Sequence, residues 1–213
     1  MANHALADQA ATLRRAAGFE SRPAEALEKL LKKHSGTQQL VLLQDFPDPD
    51  ALSAAWAYRL IAGAYNIQCD IFYSGTLSHQ ENIALVKLTN LPAKRWPTAP
   101  KDAPDLTQYQ GYVLIDTQGT TSHLTEKVKE AELPLILVID HHAIQGKLDA
   151  EMADIRPEIH ATATMMTQYL QAGLIQLDRS NSHHVKCATA LMHGLRSDTS
   201  HLMQASEPDF LAA

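Results

Sequence analysis

Four short runs, residues 40–43, 69–73, 112–115 and 135–139, constrain this chain more than any other feature. Leu40-Val41-Leu42-Leu43 is continuously apolar, as in a strand buried on both faces of a parallel sheet. The other three read as strands of the same sheet. Helical patterns alternate with them. Ser21 reads as a cap before Leu27, Leu30 and Leu31 at helical spacing, and Gly36 stops that run. Residues 51–64, 81–91, about 121–132, 162–172 and 184–196 read as further helices. Residues 92–110, rich in Pro, Lys and Asp, read as a surface loop. Strands alternating with helices predict an α/β fold: a mostly parallel sheet with helices on both faces. Ligands of such sheets collect at the carboxyl ends of the strands.

Those ends carry the chemistry. The first strand runs into Gln44-Asp45-Phe46-Pro47-Asp48-Pro49-Asp50, the third into Asp116-Thr117, and the fourth into Asp140-His141-His142. A later segment adds Gly194-Leu195-Arg196-Ser197-Asp198-Thr199. A single Asp after a strand is ordinarily a turn former or helix cap, and Asp48 or Asp50 could simply cap the helix that follows. Recurrence at successive strand ends weakens that reading. Crowded carboxylates repel one another unless a cation compensates. Mixed oxygen and imidazole donors suit Mn²⁺, with Zn²⁺, Fe²⁺ and Co²⁺ also compatible.

Charge and composition exclude several classes. The formal net charge of −6 argues against bulk binding of a long nucleic acid duplex. Runs such as 135–139 are far too short to span a bilayer, and Asp8, Arg14 and Arg15 interrupt the N-terminus. Cys69 and Cys187 are the only cysteines, which rules out a disulfide framework or a Cys-rich metal site. A cytoplasmic location is the expectation.

Asp48-Pro49-Asp50-Ala51, Ile115-Asp116-Thr117, Asp140-His141-His142 and Arg196-Ser197-Asp198-Thr199, in that order, resemble the motifs of the DHH phosphoesterase superfamily. The match extends over about residues 40–206. Residues 74–82 and Asp154-Ile155-Arg156-Pro157 are similar to its nanoRNase/pAp-phosphatase-like branch. The resemblance implies two Mn²⁺ ions. Asp48, Asp116 and the residue at position 44 would hold one. Asp50, Asp116, His141 and Asp198 would hold the other, with Asp116 as bridge. Asp140 would orient His141, and His142 would face the substrate phosphate. His79 and Arg156 are the further substrate contacts it suggests. Gln44 stands where the family usually has a histidine, so that site is expected to be weaker. Asp45 is a substitute ligand if the loop turns it inward.

The activity so implied is hydrolysis of phosphate esters in short oligonucleotides or small phosphorylated nucleotides by a two-metal hydroxide mechanism. The alternatives are a nucleotide-binding regulatory module on a degenerate scaffold and an inorganic pyrophosphatase. Residues 1–20 read as a lead-in, 21–206 as the catalytic domain, and 207–213 as the start of a linker or helix. The family's second, substrate-recognising domain has no counterpart here, so the chain is expected to be part of a longer protein. An apolar face bared by that separation would favour a homodimer.

Overall fold

The computed structural model describes residues 21–213. The lead-in assigned to residues 1–20 lies outside them. The first helix, α1 (Ser21–Lys33), precedes the central strand β1 (Gln38–Leu42). Next come α2 (Pro49–Ala64), β2 (Gln68–Tyr73), α3 (Gln80–Thr89) and β3 (Ala93–Arg95). Two single-turn 3₁₀ segments, Pro100–Asp102 and Leu106–Gln108, lead to β4 (Gly111–Ile115). Then follow α4 (Leu124–Glu130), β5 (Leu135–Asp140), β6 (Ala150–Ile155), α5 (Thr162–Gln171), α6 (Ser182–Asp198) and α7 (Glu207–Ala212).

Every strand pairing is parallel, and the order across the sheet is β3-β2-β1-β4-β5-β6. Parallel neighbours need crossovers, which explains why helices separate most of the strands. The chain leaves β1 in one direction and returns to place β4 on its other side. This reversal opens a crevice at the carboxyl ends of β1 and β4, where ligands of such sheets bind.

The strands divide their side chains between two cores. Val41, Leu43, Ile71, Val113, Ile115, Leu137 and Ile139 pack with residues of α1, α2, α5 and α6. Leu40, Leu42, Phe72, Leu114 and Val138 face the opposite way, against Leu124 and Val128 of α4. The α/β expectation therefore holds, with the helices unevenly shared. The second face is completed by Trp96 and Tyr109 from the irregular stretch between β3 and β4. Trp96 meets Phe72 edge-on, with ring centroids 5.2 Å apart.

Two edges depart from the sequence reading. Residues 92–110 are not wholly loop, because β3 pairs alongside β2. The polar residues Lys94 and Arg95 suit an exposed edge, which is why composition concealed the strand. The other edge strand, β6, was not anticipated either. Among the described residues no helix is long and apolar enough to cross a membrane.

Helix α2 is buried along most of its length, with Trp56, Tyr58 and Ile61 inside. Its start is specified locally. The Asp48 side chain accepts from the Ala51 amide at 2.9 Å, and Pro49 occupies the first turn. Helix α7 folds back onto α5 rather than standing apart. Buried Asp209 accepts a hydrogen bond from Thr164 on Oδ1 and from Ser206 on Oδ2, and Oδ2 also lies 3.0 Å from His160 Nδ1.

Candidate functional site

Where β4 ends, Asp116 takes a left-handed backbone conformation, with φ +60°. Aspartate tolerates this better than most residues, at a cost on the order of 1 kcal/mol. Its amide donates to the Ile139 carbonyl of β5 at 2.9 Å, which locks the turn. The carboxylate is thereby fixed at the crevice and is almost fully buried. Thr162 donates to its Oδ1 at 2.9 Å, and the Gln44 amide nitrogen lies 3.5 Å from Oδ2.

His141 follows β5 and is the centre of the cluster. Its Nε2 lies 3.4 Å from Asp198 Oδ2, 3.5 Å from Asp116 Oδ1 and 3.9 Å from Asp50 Oδ2. This nitrogen is buried and has no partner in hydrogen-bonding geometry. Asp198 reaches it from the last turn of α6, and Asp50 from the first turn of α2. Gly194, one helical turn before Asp198, allows this approach. A Cβ there would sit 2.9 Å from the Pro49 carbonyl oxygen and 3.0 Å from Asp50 Cα, and would press on the Ser53 hydroxyl.

Asp50 is fully buried and has a second task. Its two oxygens accept the amides of Thr162 and Ala163 at 2.6 and 2.7 Å. It therefore caps α5, not the helix on which it stands. The sequence carried a sign of this. Ala161, at the cap position of α5, offers no side-chain acceptor, so the first amides of that helix need one from elsewhere.

The charges are held under tension. Burial raises the Asp48 carboxyl above its ordinary range, and the Asp198 charge adds to it. Asp50 is raised further, by complete burial and then by Asp198 and Asp48. For Asp116 burial again leads, followed by Asp50, Asp48 and Asp198. Burial opposes protonation of His141, but the neighbouring Asp198 outweighs it and lifts that group.

Such a set fits a divalent cation. Donors on one ion, bound at about 2.0–2.2 Å, lie roughly 3–3.5 Å from one another. The separations of His141 Nε2 from Asp198 and Asp116 are of that size. A cation would also pair the unpartnered nitrogen and relieve the crowded carboxylates. Among the described residues two overlapping groups have this character: Asp50, His141 and Asp198, and Asp116, His141 and His142.

Asp140 does not orient His141, as the resemblance implied. Its Oδ1 instead lies 2.7 Å from His142 Nδ1. Burial alone would raise Asp140, but hydrogen bonds from His142 and Gln118 bring it below its ordinary value. His142 is raised in turn, first by Asp140. With Nδ1 engaged, Nε2 is left free on a side chain that is 44% exposed. The missed member of this set is Gln118. Its Nε2 donates to Asp140 Oδ2 at 2.7 Å and to the Ala143 carbonyl at 3.0 Å. Its Oε1 accepts the Gln145 amide at 2.8 Å. Nothing in the sequence around Gln118 signals this.

The other candidates make other contacts. Asp45 is not turned toward His141. It pairs with Ser74 and with exposed His123. Arg156 binds Asp154 through Nη2 at 2.7 Å and Gln168 through Nη1 at 2.6 Å, and lies over the Tyr169 ring, with its buried Nε unpartnered. His79 is exposed at the cap position of α3 without a capping bond. Arg196 is exposed as well.

Comparison with known proteins gives likenesses of sequence and of fold. A family model described as "DHH family, N-terminal domain" matches residues 39–195, ending just short of Asp198. An uncharacterized protein of Methanocaldococcus jannaschii is 36% identical over 176 residues, which is 82% of this chain and 33% of that protein. The chain thus spans a third of the length of that curated relative. The crystal structure of an exopolyphosphatase-related protein from Bacteroides fragilis matches with a TM-score of 0.64 at 12% identity. The match covers 91% of this chain and 55% of that one, and it is a likeness of fold.

Proposed function

The chain belongs to the DHH family, and from that premise we propose that it hydrolyses phosphate esters of small nucleotides or short oligonucleotides with divalent metal ions. The observation that carries the proposal is the buried, unpartnered Nε2 of His141 facing three carboxylates. Asp50, Asp116, His141 and Asp198 would hold one ion. Asp48, Asp116 and Gln44 would hold the other. Mn²⁺ is the ion we assign, from the mixture of oxygen and imidazole donors. Gln44 would have to present its carbonyl oxygen, and the nitrogen now faces Asp116, so this second site is the weaker. A bound metal pair supplies positive charge for the phosphoryl oxygens and an acidified water.

The chain's own groups provide the remainder. The Gln118–Asp140 hydrogen bond fixes Asp140, and Asp140 fixes the ring of His142. The Asp140 carboxylate favours the imidazolium form of His142, and in that form its Nε2–H is a positioned donor for a phosphoryl oxygen where negative charge develops. Asp50 ties the start of α5 to the cluster, so Thr162 can hold Asp116 from that helix. The net charge of −6 favours a small substrate whose charge the metals offset over a long polyanion.

The test is hydrolysis of pApA, pAp, pyrophosphate and polyphosphate with Mn²⁺, beside an Asp116→Ala variant. Turnover of the nucleotides that is lost in the variant is the expected result. Polyphosphate is included because of the name of the Bacteroides fragilis protein, and a preference for it would redirect the substrate assignment. Turnover that persists in Asp116→Ala would exclude the two-metal arrangement. Tight nucleotide binding without turnover would support the second reading, a regulatory binding module, which the substitution at Gln44 favours.

A further inference from the structure

Residues 74–82 take no part in the metal cluster. Their contacts show that they form a bed for the loop of residues 45–47. The Ser74 hydroxyl donates to Asp45, and its carbonyl accepts the Phe46 amide at 3.1 Å. Gly75, with φ +76°, lies directly under the Phe46 ring, where an added Cβ would come within 2.7 Å of two ring carbons. Buried Asn82 donates to the Pro47 carbonyl at 3.3 Å. The object of this support is Phe46 itself. It has φ +57°, a conformation that bulky residues rarely adopt, and its side chain is 61% exposed. Strain of this kind persists only where the surroundings impose it, and it gathers at ligand sites. Here it holds an aromatic ring out in water.

The ring's position gives it a use. Gln44, two residues earlier, touches Asp116, and Asp48, two residues later, caps α2 beside Asp50. The ring thus stands on the loop that carries metal-facing groups. Around it, Asp45, Ser74 and, through Asp45, the exposed His123 are polar, while Pro47 is buried. A protein partner would call for apolar neighbours around such a ring. A flat base with a phosphate a short distance away matches an exposed ring on the loop that leads to the proposed metal ligands.

We propose that Phe46, seated on Gly75, is the stacking platform for the heteroaromatic base of a nucleotide substrate. The inference rests on the phosphoesterase reading and names the residue that would engage the base of its nucleotide substrate. Stacking on an aromatic face is tolerant of base identity, so preference among bases should be small.

The experiment is equilibrium binding of pAp and of base-free pyrophosphate to the native chain in Mn²⁺, compared with Phe46→Ala, Phe46→Gly and Phe46→Trp. The Gly variant accepts the positive φ without strain, which separates loss of the ring from a disturbed loop. The native chain should prefer pAp, and removing the ring should cut that preference roughly 10- to 100-fold, by the loss of one stacked base. Phe46→Trp should keep it. The platform is overturned if the native chain shows no preference, or if both ring-less variants keep it. Hydrolysis is scored in parallel. Preference without turnover defeats the phosphoesterase reading alone, and turnover without preference defeats the platform alone.

Discussion

Replacing Gly194 by alanine tests the packing that delivers Asp198, and it does so by the sign of the effect. In an open helix interior, Gly→Ala stabilises by roughly 0.5–1 kcal/mol, because alanine loses less backbone freedom on folding. At position 194 the new methyl would meet the Pro49 carbonyl oxygen at 2.9 Å and Asp50 Cα at 3.0 Å, as well as the Ser53 hydroxyl. Two of these neighbours are backbone in the first turn of α2 and cannot rotate away. Helices α2 and α6 must separate by a few tenths of an ångström. Overpacking of this kind costs about 1–3 kcal/mol. After subtracting the propensity gain, the net loss is roughly 0–2.5 kcal/mol and centred near 1, a fall in Tm of about 2–4 °C at that centre for a chain of this size. Because Asp198 lies one turn further along α6, the metal-induced rise in Tm should shrink too. Thermal unfolding followed by circular dichroism, with and without Mn²⁺, measures both. If Gly194→Ala melts at or above the native temperature, the close contact of α6 with α2 is not what positions Asp198, and the reasoning fails.

Two further outcomes follow from the same geometry. Asp48, Asp50 and Asp116 are raised above the unfolded-chain value of about 3.9, so the metal-free folded protein retains protons that the unfolded chain has released. Stability without metal should therefore fall as pH rises through that window, and the stabilisation given by Mn²⁺ should grow from about pH 5 to about pH 8, since ligands bind deprotonated. Melting curves across pH check this, and a metal effect that is largest at acid pH would contradict it. Gln118→Leu removes the group that fixes Asp140, and the predicted result is a fall in kcat of on the order of 10- to 100-fold with a smaller change in metal affinity. Steady-state kinetics beside a metal titration separate these, and an equal loss of both would assign Gln118 to the metal cluster instead.

Much of this was legible one residue at a time. The runs at 40–43, 112–115 and 135–139 announce buried strands because a strand closed in on both faces tolerates little else. Asp48 with Pro49 announces the start of α2, because a cap acts on amides only two or three residues away. The acids and imidazoles at the strand ends were visible as a set, since a parallel sheet gathers its carboxyl ends along one edge.

The pairings within that set were not visible. Asp50 caps α5, whose amides lie 112 and 113 residues away along the chain. Asp140 holds the second of two adjacent histidines, although the first is nearer in sequence. Gln118 and Thr162 resemble any loop glutamine and any helix-start threonine until the sheet brings them to Asp140 and Asp116. Strand β3 and the outward Phe46 depend likewise on their neighbours, Phe72 with Trp96 and Gly75. Sequence by itself determined what is set by hydrogen bonds and apolar periods within a few residues: the central strands, the caps that act on neighbouring amides and the kinds of side chain gathered at the sheet edge. Only tertiary structure decided which donor meets which acceptor, because that depends on where distant backbones cross and on which polar atoms burial leaves in need of a partner.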